Sequence, residues 1–181
     1  MREIRQDRES VALGGGCFWC LEAIFKQLVG VTQVQSGYAG GETPNPTYEQ
    51  VCGGKTGHAE VVLLTFDPKQ IPFRVILEVF FEIHDPTTEN RSGSDIGPQY
   101  RSIILYGNDH QREEALAFLK ELQKSYDSPI VTQVEPLQAF YPAEGYHDDY
   151  FARNENQQYC RFVISPKLQK FRRSFKGLIK T

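Results

Sequence analysis

The group with the clearest capacity for chemistry in this sequence is a cysteine that directly follows three glycines. Cys17 comes after residues 14–16, and the apolar residues that follow it recur at the spacing of a helix. Unpaired backbone N–H groups and the helix dipole at the first turn of a helix favour a thiolate over a thiol. The glycines also let the backbone approach a bound group closely. The position therefore predicts that Cys17 is a nucleophile with a preformed thiolate.

A second cysteine lies one helical turn after the first. Cys20 is three residues beyond Cys17, so both thiols face the same side of the predicted helix. Such a Cys-x-x-Cys pair is typical of redox chemistry, although Phe18 and Trp19 differ from the usual thioredoxin-type residues between the thiols. Zinc is the alternative, with the ligand set Cys17, Cys20, Cys52 and His58. The irregular spacing of that set disfavours zinc, and we expect no metal.

Phe18 and Trp19 are adjacent aromatic side chains beside the predicted nucleophile. They either fill the core or form an apolar wall for the hydrocarbon part of a ligand. Because the first turn of a helix near glycines is often exposed, we favour the wall.

Several polar side chains have roles that depend on the direction in which they point. Glu60 lies within the otherwise apolar strand segment 59–64. If it faces the interior, burial raises its pKa and makes it a proton donor near neutral pH; if it faces solvent, it is an ordinary strand residue. Tyr38 and Tyr100 each adjoin a long loop, where a phenol can bind an oxygen or simply pack. Asp95 alone indicates only loop polarity.

Two His-Asp groups suggest a Cys-His-Asp hydrolase or a metal site. They are His84-Asp85 and His147-Asp148-Asp149. We interpret the first as a turn before Pro86 and the second as the exposed face of a short helix. Neither group is expected to carry chemistry.

Apolar periodicity predicts the elements that must position these groups. Strands are expected at residues 11–13, 31–38, 58–66, 101–106 and 130–137. Helices are expected after the glycines, after Pro72, and after Asn108, where Gln111 would complete a capping box. Long polar loops occupy residues 40–47 and 84–99 and, in a compact domain, are usually functional or flexible.

The predicted order between residues 11 and 106 is β-α-β-β-α-β. This is the order of the ferredoxin-like split βαβ arrangement, in which helices cover one face of a sheet. We therefore predict an α+β, two-layer ferredoxin-like fold with an appended helix, strand and C-terminal segment. The 181 residues fit one domain, with a core over about residues 11–140 and a C-terminal segment over residues 141–181.

Composition excludes several classes of protein. An aromatic fraction of 12% and a charged fraction of 24% exclude disorder as the main state. Residues 1–10 lack the apolar run of a secretory signal, and the apolar stretches are shorter than the ~20 residues that span a bilayer. We therefore expect a cytoplasmic protein. In that reducing compartment, its four cysteines would be catalytic, metal-binding or buried more often than disulfide-bonded.

The C-terminal segment is strongly basic. Seven of the 20 basic residues and none of the 23 acidic residues lie from Arg161 onward. A basic tail can bind nucleic acid or an anionic membrane. Its apolar residues, however, repeat on one helix face: they are Leu168, Phe171, Phe175 and Leu178. We favour a helix docked on the domain and expect no nucleic-acid or membrane partner.

Five short motifs follow one another between residues 14 and 102. They are Gly15-Gly16-Cys17-Phe18-Trp19, Ser36-Gly37-Tyr38-Ala39-Gly40-Gly41, Thr56-Gly57-His58-Ala59-Glu60-Val61, His84-Asp85-Pro86-Thr87 and Gln99-Tyr100-Arg101-Ser102. Their order and spacing resemble those of the A-type peptide methionine sulfoxide reductases. A looser match, a Tyr-His segment followed by Tyr-Cys, extends from Ala143 to Cys160. The α+β ferredoxin-like core of that family agrees with the strand order above.

The resemblance implies an enzyme that reduces methionine S-sulfoxide, free or in proteins, and so repairs oxidative damage. Thioredoxin is the implied reductant, and no cofactor is implied. We expect the enzyme to be a monomer.

The resemblance also implies roles for the matched residues. The Cys17 thiolate would attack the sulfoxide sulfur while Glu60 gives a proton to the oxygen. Tyr38 and Tyr100 would hydrogen-bond the sulfoxide oxygen, and Asp95 would help to position the polar network. Phe18 and Trp19 would enclose the methyl group of the substrate.

A second thiol must then reduce the Cys17 sulfenic acid by forming a disulfide, which thioredoxin reopens. Cys160 matches the family's usual resolving position and is our first choice. Cys20, at a position that is often Gly in the family, is the rival, either as the resolving cysteine or as the next thiol in the relay. Cys52 matches a family cysteine outside the relay and is expected to pack.

Overall fold

Six strands form one mixed sheet in the computed structural model, which describes residues 8–180 of the chain. In chain order the strands are β1 (Glu9–Gly14), β2 (Val31–Ala39), β3 (Ala59–Phe66), β4 (Arg91–Ser92), β5 (Asp95–Ile96), β6 (Ile103–Tyr106), β7 (Gln133–Pro136) and β8 (Phe140–Pro142). Strands β4 and β5 form a separate hairpin, and the others lie in the order β7-β6-β1-β3-β2-β8. Strands β6 and β7 are parallel, and the other neighbouring pairs of the sheet are antiparallel.

The helices lie between the strands and at the C-terminal end. They are α1 (Phe18–Phe25), α2 (Tyr48–Cys52), α3 (Phe73–Glu82), α4 (Asp109–Gln123), α5 (Tyr150–Arg153) and α6 (Ser165–Ser174). Short 3-10 turns occupy Pro98–Tyr100, Gly145–His147 and Lys176–Leu178. A π-helical turn over Cys160–Ile164 leads directly into α6.

The main strands and helices that the sequence predicts are present, and the α+β class is confirmed. The structure adds α2, the β4–β5 hairpin and β8, which apolar periodicity does not reveal. At the start of α4, Asn108 accepts a hydrogen bond from the Gln111 N–H at 2.9 Å. The Gln111 side chain, however, accepts from the Gly107 N–H. The predicted capping box is therefore only half formed.

Both faces of the sheet are covered, but by different side chains. On the face that carries α1 and α3, the large residues Val11 and Leu13 of β1 are fully buried. On the opposite face, Ala12 belongs to a second cluster with Ile103, against which Phe140 packs. Alternate residues of one strand therefore point into two separate apolar layers.

Helix α6 packs against α1, as the apolar face of the basic segment predicts. Leu168 and Phe171 are buried, and Phe175 and Leu178 are half-buried. The prediction of a docked helix is confirmed. Across residues 8–180 no helix is both long enough and apolar enough to cross a bilayer; the charged residues 1–7 lie outside the described part of the chain.

Antiparallel pairing brings the candidate reactive groups to one edge of the sheet. Strand β1 ends at Gly14, opposite Ile103 at the start of β6. Tyr38, near the end of β2, lies directly opposite Glu60, near the start of β3. Because the ends of antiparallel neighbours meet at one edge, the turn to Cys17 leaves the sheet beside the carboxyl and phenol groups.

Gly37 is a point of very close approach between β2 and the edge strand β8. A Cβ at this position would lie 2.5 Å from the Tyr141 carbonyl oxygen and would overlap the Phe140 ring. We expect Gly37→Ala to displace β8 and to lower the free energy of unfolding by about 1 to 3 kcal/mol. Thermal unfolding measures this change, because each kcal/mol lowers Tm by about 2 to 4 °C in a domain of this size.

The control is Gly177→Ala, since a Cβ at Gly177 meets no atom within 4 Å. Equal Tm values for the two variants would contradict the close packing of β8 on β2.

Candidate active site

Cys17 lies in the turn between β1 and α1, at the N-cap position of α1. The chain reaches it through Gly16, whose φ of +90° is a conformation that L side chains rarely adopt. The Trp19 N–H, in the first turn of α1, donates a hydrogen bond to the Cys17 sulfur. The residue is 8% exposed, so Cys17 is buried.

Glu60 faces the interior, beside Cys17. Its side chain is 1% exposed, and Oε1 accepts a hydrogen bond from the Phe18 N–H at 3.2 Å. Oε2 has no hydrogen-bond partner among the described residues. Burial raises the pKa of Glu60 from 4.5 to about 8. The carboxyl group is therefore mostly protonated at neutral pH and can give up that proton.

The prediction of a preformed thiolate at Cys17 is wrong. Burial and, second, the nearby Glu60 raise the pKa of the Cys17 thiol well above its ordinary value, and the Trp19 N–H lowers it by less. Burial removes solvent from the sulfur, and this cost to a thiolate exceeds the stabilisation that the helix start provides. In addition, the Phe18 N–H of the first helical turn is donated to Glu60. The thiol therefore holds its proton at neutral pH.

Two tyrosines surround the Glu60 carboxyl group. Tyr38 is fully buried, and its hydroxyl donates to Glu144 Oε1 at 2.9 Å. Tyr100 is half-buried and lies within electrostatic range of both Glu60 and Cys17. Burial raises the pKa of both phenols. Both hydroxyls therefore stay neutral and remain hydrogen-bond donors.

Asp95 is connected to the nucleophile through a residue that the sequence analysis missed. The Tyr159 hydroxyl donates to Asp95 Oδ2 at 2.6 Å and lies within hydrogen-bonding range of the Cys17 sulfur. Burial raises the pKa of Tyr159, which keeps the hydroxyl neutral. The available signal in the sequence is that Tyr159 directly precedes Cys160.

The interpretation of His147 as part of an exposed helix face is wrong. Its side chain is fully buried, and Nδ1 accepts a hydrogen bond from the Trp19 indole N–H at 2.9 Å. Its ring centroid lies 5.0 Å from that of Phe18. Burial lowers the pKa of His147, so the ring is neutral and carries its proton on Nε2, which has no partner among the described residues.

Phe18 and Trp19 differ in exposure. Phe18 has no exposed surface, whereas Trp19 is half-buried. The Trp19 indole lies flat against Tyr150, with ring centroids 3.7 Å apart. An incoming apolar group can therefore contact Trp19 directly, and Phe18 supports the site from inside.

His84 is buried, but its ring has no free nitrogen. Nδ1 lies 2.6 Å from the Phe80 carbonyl oxygen and Nε2 lies 2.8 Å from the Ser102 hydroxyl. Burial lowers the pKa of His84 to about 4. Both ring nitrogens of His84 are therefore engaged within the fold.

A family model covers nearly the whole chain. Residues 9–178 match the model described as peptide methionine sulfoxide reductase. The chain belongs to this family. It is therefore an oxidoreductase that reduces methionine sulfoxide.

Individual relatives agree with the family model. The reductase is 53% identical to the peptide methionine sulfoxide reductase MsrA of Sulfolobus acidocaldarius over 92% of this chain and 95% of that protein. It is also 53% identical to an MsrA of Thermus thermophilus over 95% of this chain and 98% of that protein.

Solved structures of the family superpose on the reductase. Reduced Mxr1 from Saccharomyces cerevisiae has a TM-score of 0.81 and 36% identity, over 86% of this chain and 90% of that chain. Methionine sulfoxide reductase A of Corynebacterium diphtheriae has a TM-score of 0.74 and 35% identity, over 82% of this chain and 76% of that chain. Mxr1 in complex with Trx2 has a TM-score of 0.58 and 26% identity, over 80% and 86%.

The reductase has three further thiols, all of which are free in the structure. Cys20 is 4% exposed, and burial raises its pKa to about 11. Cys160 is fully buried in the π-helical turn. Cys52 is exposed, so the expectation that it packs is wrong; its thiol accepts a hydrogen bond from the Tyr48 hydroxyl.

The residues considered as zinc ligands do not form a metal site. Among residues 8–180, no three His, Cys, Asp or Glu side chains form a group that could hold a metal ion. His58 uses both ring nitrogens within the loops: Nδ1 accepts from the Gly41 N–H at 3.0 Å, and Nε2 lies 2.7 Å from the Thr43 carbonyl oxygen.

The raised pKa of Glu60 has a consequence for stability. The folded state holds this proton more tightly than the unfolded state, so stability that is present below pH 4.5 is lost as pH rises towards the folded pKa of about 8. The total effect is on the order of a few kcal/mol, at about 1.4 kcal/mol per pKa unit. Glu60→Gln removes the titrating group, so we expect it to gain stability relative to wild type between pH 5 and pH 8.

Urea unfolding of both proteins at the two pH values measures this difference. Glu78→Gln, at an exposed glutamate of α3, is the control and should follow wild type. The same pH dependence in wild type and Glu60→Gln would contradict a protonated Glu60.

Proposed function

We propose that this reductase acts on methionine S-sulfoxide, free or in proteins, through a Cys17 sulfenic acid and an intramolecular disulfide that thioredoxin recycles. The observation that carries the proposal is the buried, protonated carboxyl group of Glu60 beside the Cys17 thiol. A sulfoxide oxygen is a poor leaving group unless it is protonated, and a thiol is a poor nucleophile unless its proton is removed. This site holds the carboxyl group that can protonate the oxygen next to the thiol that attacks the sulfur.

The first step transfers the sulfoxide oxygen from the substrate to the enzyme. The Cys17 sulfur attacks the substrate sulfur, and Glu60 gives its proton to the oxygen, which leaves as hydroxide when the sulfur–oxygen bond breaks. The hydroxide then attacks the Cys17 sulfur, and the bond between the two sulfurs breaks as methionine departs. The net result is methionine and a Cys17 sulfenic acid, so the substrate gains two electrons and the cysteine loses them. The proton of the Cys17 thiol restores the Glu60 carboxyl group.

The surrounding residues hold the sulfoxide for this step. Tyr100 is a neutral donor beside Glu60, which suits the binding of an oxygen that gains negative charge. Tyr38 becomes a second donor when its hydroxyl turns from Glu144 to the substrate oxygen. Asp95 orients the Tyr159 hydroxyl near the nucleophile. The methyl group of the substrate contacts the apolar surface of Trp19, which Phe18 supports.

The second step reduces the sulfenic acid. A cysteine thiol attacks the Cys17 sulfenic sulfur, which forms a disulfide and releases water. We assign this role to Cys160, because it directly follows Tyr159, whose hydroxyl is near the Cys17 sulfur. Cys20 is the alternative, since its N–H donates to the Cys17 carbonyl oxygen at 3.2 Å. Because both thiols are buried, the segment that carries the resolving cysteine must shift before the bond forms.

The third step returns the enzyme to its thiol form. A dithiol reductant of the thioredoxin class exchanges with the disulfide and leaves as a disulfide itself. Support comes from the related Mxr1, which has been crystallised in complex with Trx2. A thiol relay of this kind works in the reducing cytoplasm and uses no cofactor.

We further assign the four central strands to the ferredoxin-like arrangement, within one catalytic domain that acts as a monomer. The order β6-β1-β3-β2 with antiparallel neighbours supports the arrangement. The packing of α6 on α1 supports a single domain that includes the C-terminal segment.

Two substitutions test the first step. Cys17→Ser is expected to abolish turnover of methionine S-sulfoxide with thioredoxin as reductant. Glu60→Gln keeps the size of the side chain but cannot give a proton, so we expect kcat to fall by about 10²- to 10⁴-fold. Steady-state assays with both sulfoxide epimers measure the effects; turnover by Cys17→Ser, or greater activity on the R-epimer, would overturn the proposal.

Mass mapping of the disulfide formed after one substrate turnover tests the second step. We expect a Cys17–Cys160 bond in wild type and in Cys20→Ser, and an accumulated sulfenic acid in Cys160→Ser. Cys52→Ser is the control and should behave as wild type. A Cys17–Cys20 bond as the sole wild-type product would make Cys20 the resolving cysteine instead.

A further inference from the structure

The segment over residues 144–153 crosses the site as a compact strap. It consists of a 3-10 turn and the short helix α5. Arg153 holds the strap together, because its Nη2 donates to the carbonyl oxygens of Gly145 at 3.3 Å, Tyr146 at 3.2 Å and Asp148. The strap can therefore be positioned as one unit by a few contacts.

The inner side of the strap fixes the Trp19 indole. His147 accepts the indole N–H, and Tyr150 stacks on the indole face. At the start of the strap, Glu144 accepts hydrogen bonds from the Tyr38 hydroxyl at 2.9 Å and the Tyr48 N–H at 3.0 Å. The orientation of Trp19 therefore depends on where the strap lies.

A buried carboxylate on α1 holds the other end of the strap. Glu22 lies three residues after Trp19 on the same helix and is 3% exposed. It accepts hydrogen bonds from the Ser36 hydroxyl of β2 at 3.2 Å and from the backbone N–H of Asp149 in the strap. Lys26 Nζ lies 3.9 Å from Glu22 Oε1 and also pairs with the Asp149 carboxylate.

Asp149 adopts a left-handed backbone conformation, which among residues other than glycine is found mainly for asparagine and aspartate. Its φ of 50° and ψ of 35° lie in the left-handed region, which for a residue other than glycine persists when the surroundings impose it. Here the surroundings are the Glu22 carboxylate and the Lys26 ammonium group. A buried carboxylate is costly unless it is hydrogen-bonded, and Glu22 meets that condition by joining α1, β2 and the strap.

We propose that Glu22 is a positioning residue that anchors the strap and thereby holds Trp19 at the angle at which it contacts the substrate. The inference rests on the proposed role of Trp19 in binding the sulfoxide methyl group. Glu22 acts through Asp149, His147 and Tyr150 and does not touch the reacting atoms. Loosening this anchor therefore weakens substrate binding more than it slows the chemical step.

Trp19 makes this inference measurable, because it is the single tryptophan of the chain. Its fluorescence reports the strap contacts without interference from another indole. We expect Glu22→Gln to increase acrylamide quenching of Trp19. We also expect KM for methionine S-sulfoxide to rise by about 3- to 10-fold, the effect of weakening one charge-assisted hydrogen bond, while kcat changes by less than about twofold.

The matched control is Glu78→Gln on α3. Glu78 pairs with Arg74 four residues away at 3.3 Å, just as Glu22 pairs with Lys26 four residues away, but it lies far along the chain from the strap and is exposed. Its Trp19 quenching and KM should match those of wild type. Should Glu22→Gln fail to fold, Ser36→Ala removes one donor to the same carboxylate and should move both readouts in the same direction by a smaller amount.

If folded Glu22→Gln shows unchanged Trp19 quenching and unchanged KM, the anchoring role of Glu22 is overturned and the proposed function stays intact. The same result in folded Ser36→Ala has the same meaning where Glu22→Gln does not fold. A fall in kcat at constant KM and constant quenching would also overturn the anchoring role. Failure of wild type to reduce methionine S-sulfoxide would instead defeat the proposed function, and the quenching experiment would still decide whether Glu22 holds the strap.

Discussion

The arrangement of the site depends on the burial of one carboxyl group. Glu60 has a single hydrogen bond, from the Phe18 N–H, and an Oε2 without a partner among the described residues. A carboxylate in that environment would be poorly solvated, so the proton remains on the group up to about pH 8. The same burial keeps the Cys17 thiol protonated. The Cys17–Glu60 pair therefore holds two protons and no charge at rest, which suits a neutral sulfoxide and leaves a proton ready for its oxygen.

The sheet supplies the precision that this pair requires. Glu60 and Tyr38 are fixed by strand register, and Cys17 is fixed by the turn that ends β1 and begins α1. Groups carried on strands and helix termini keep their geometry better than groups on loops. The strap and Tyr159 lie outside the sheet and reach the site through side-chain contacts with Trp19 and Asp95. A resolving cysteine that must move fits such a segment better than it fits the sheet.

The sequence predicts the rigid part of the site well and the strap poorly. Apolar periodicity predicts the strand that carries Glu60 and the helix that begins after Cys17, and the resemblance pairs the two residues. The pattern itself leaves the direction of Glu60 open, because its neighbours on both faces of β3 are apolar. His147 lies 128 residues from its partner Trp19, and Glu144 lies 106 residues from Tyr38. No local pattern encodes such contacts. The prediction of a preformed Cys17 thiolate failed for a related reason. The sequence shows that Cys17 stands at the start of a helix, but it does not show that the sulfur is buried.

The most direct test of this account is the protonation state of Glu60 itself. An infrared difference spectrum between wild type and Glu60→Gln isolates the carboxyl band of this side chain. The account predicts a protonated carboxyl band at pH 7 that disappears with a midpoint near pH 8. A carboxylate band at pH 7, with no protonated band assignable to Glu60, would contradict it.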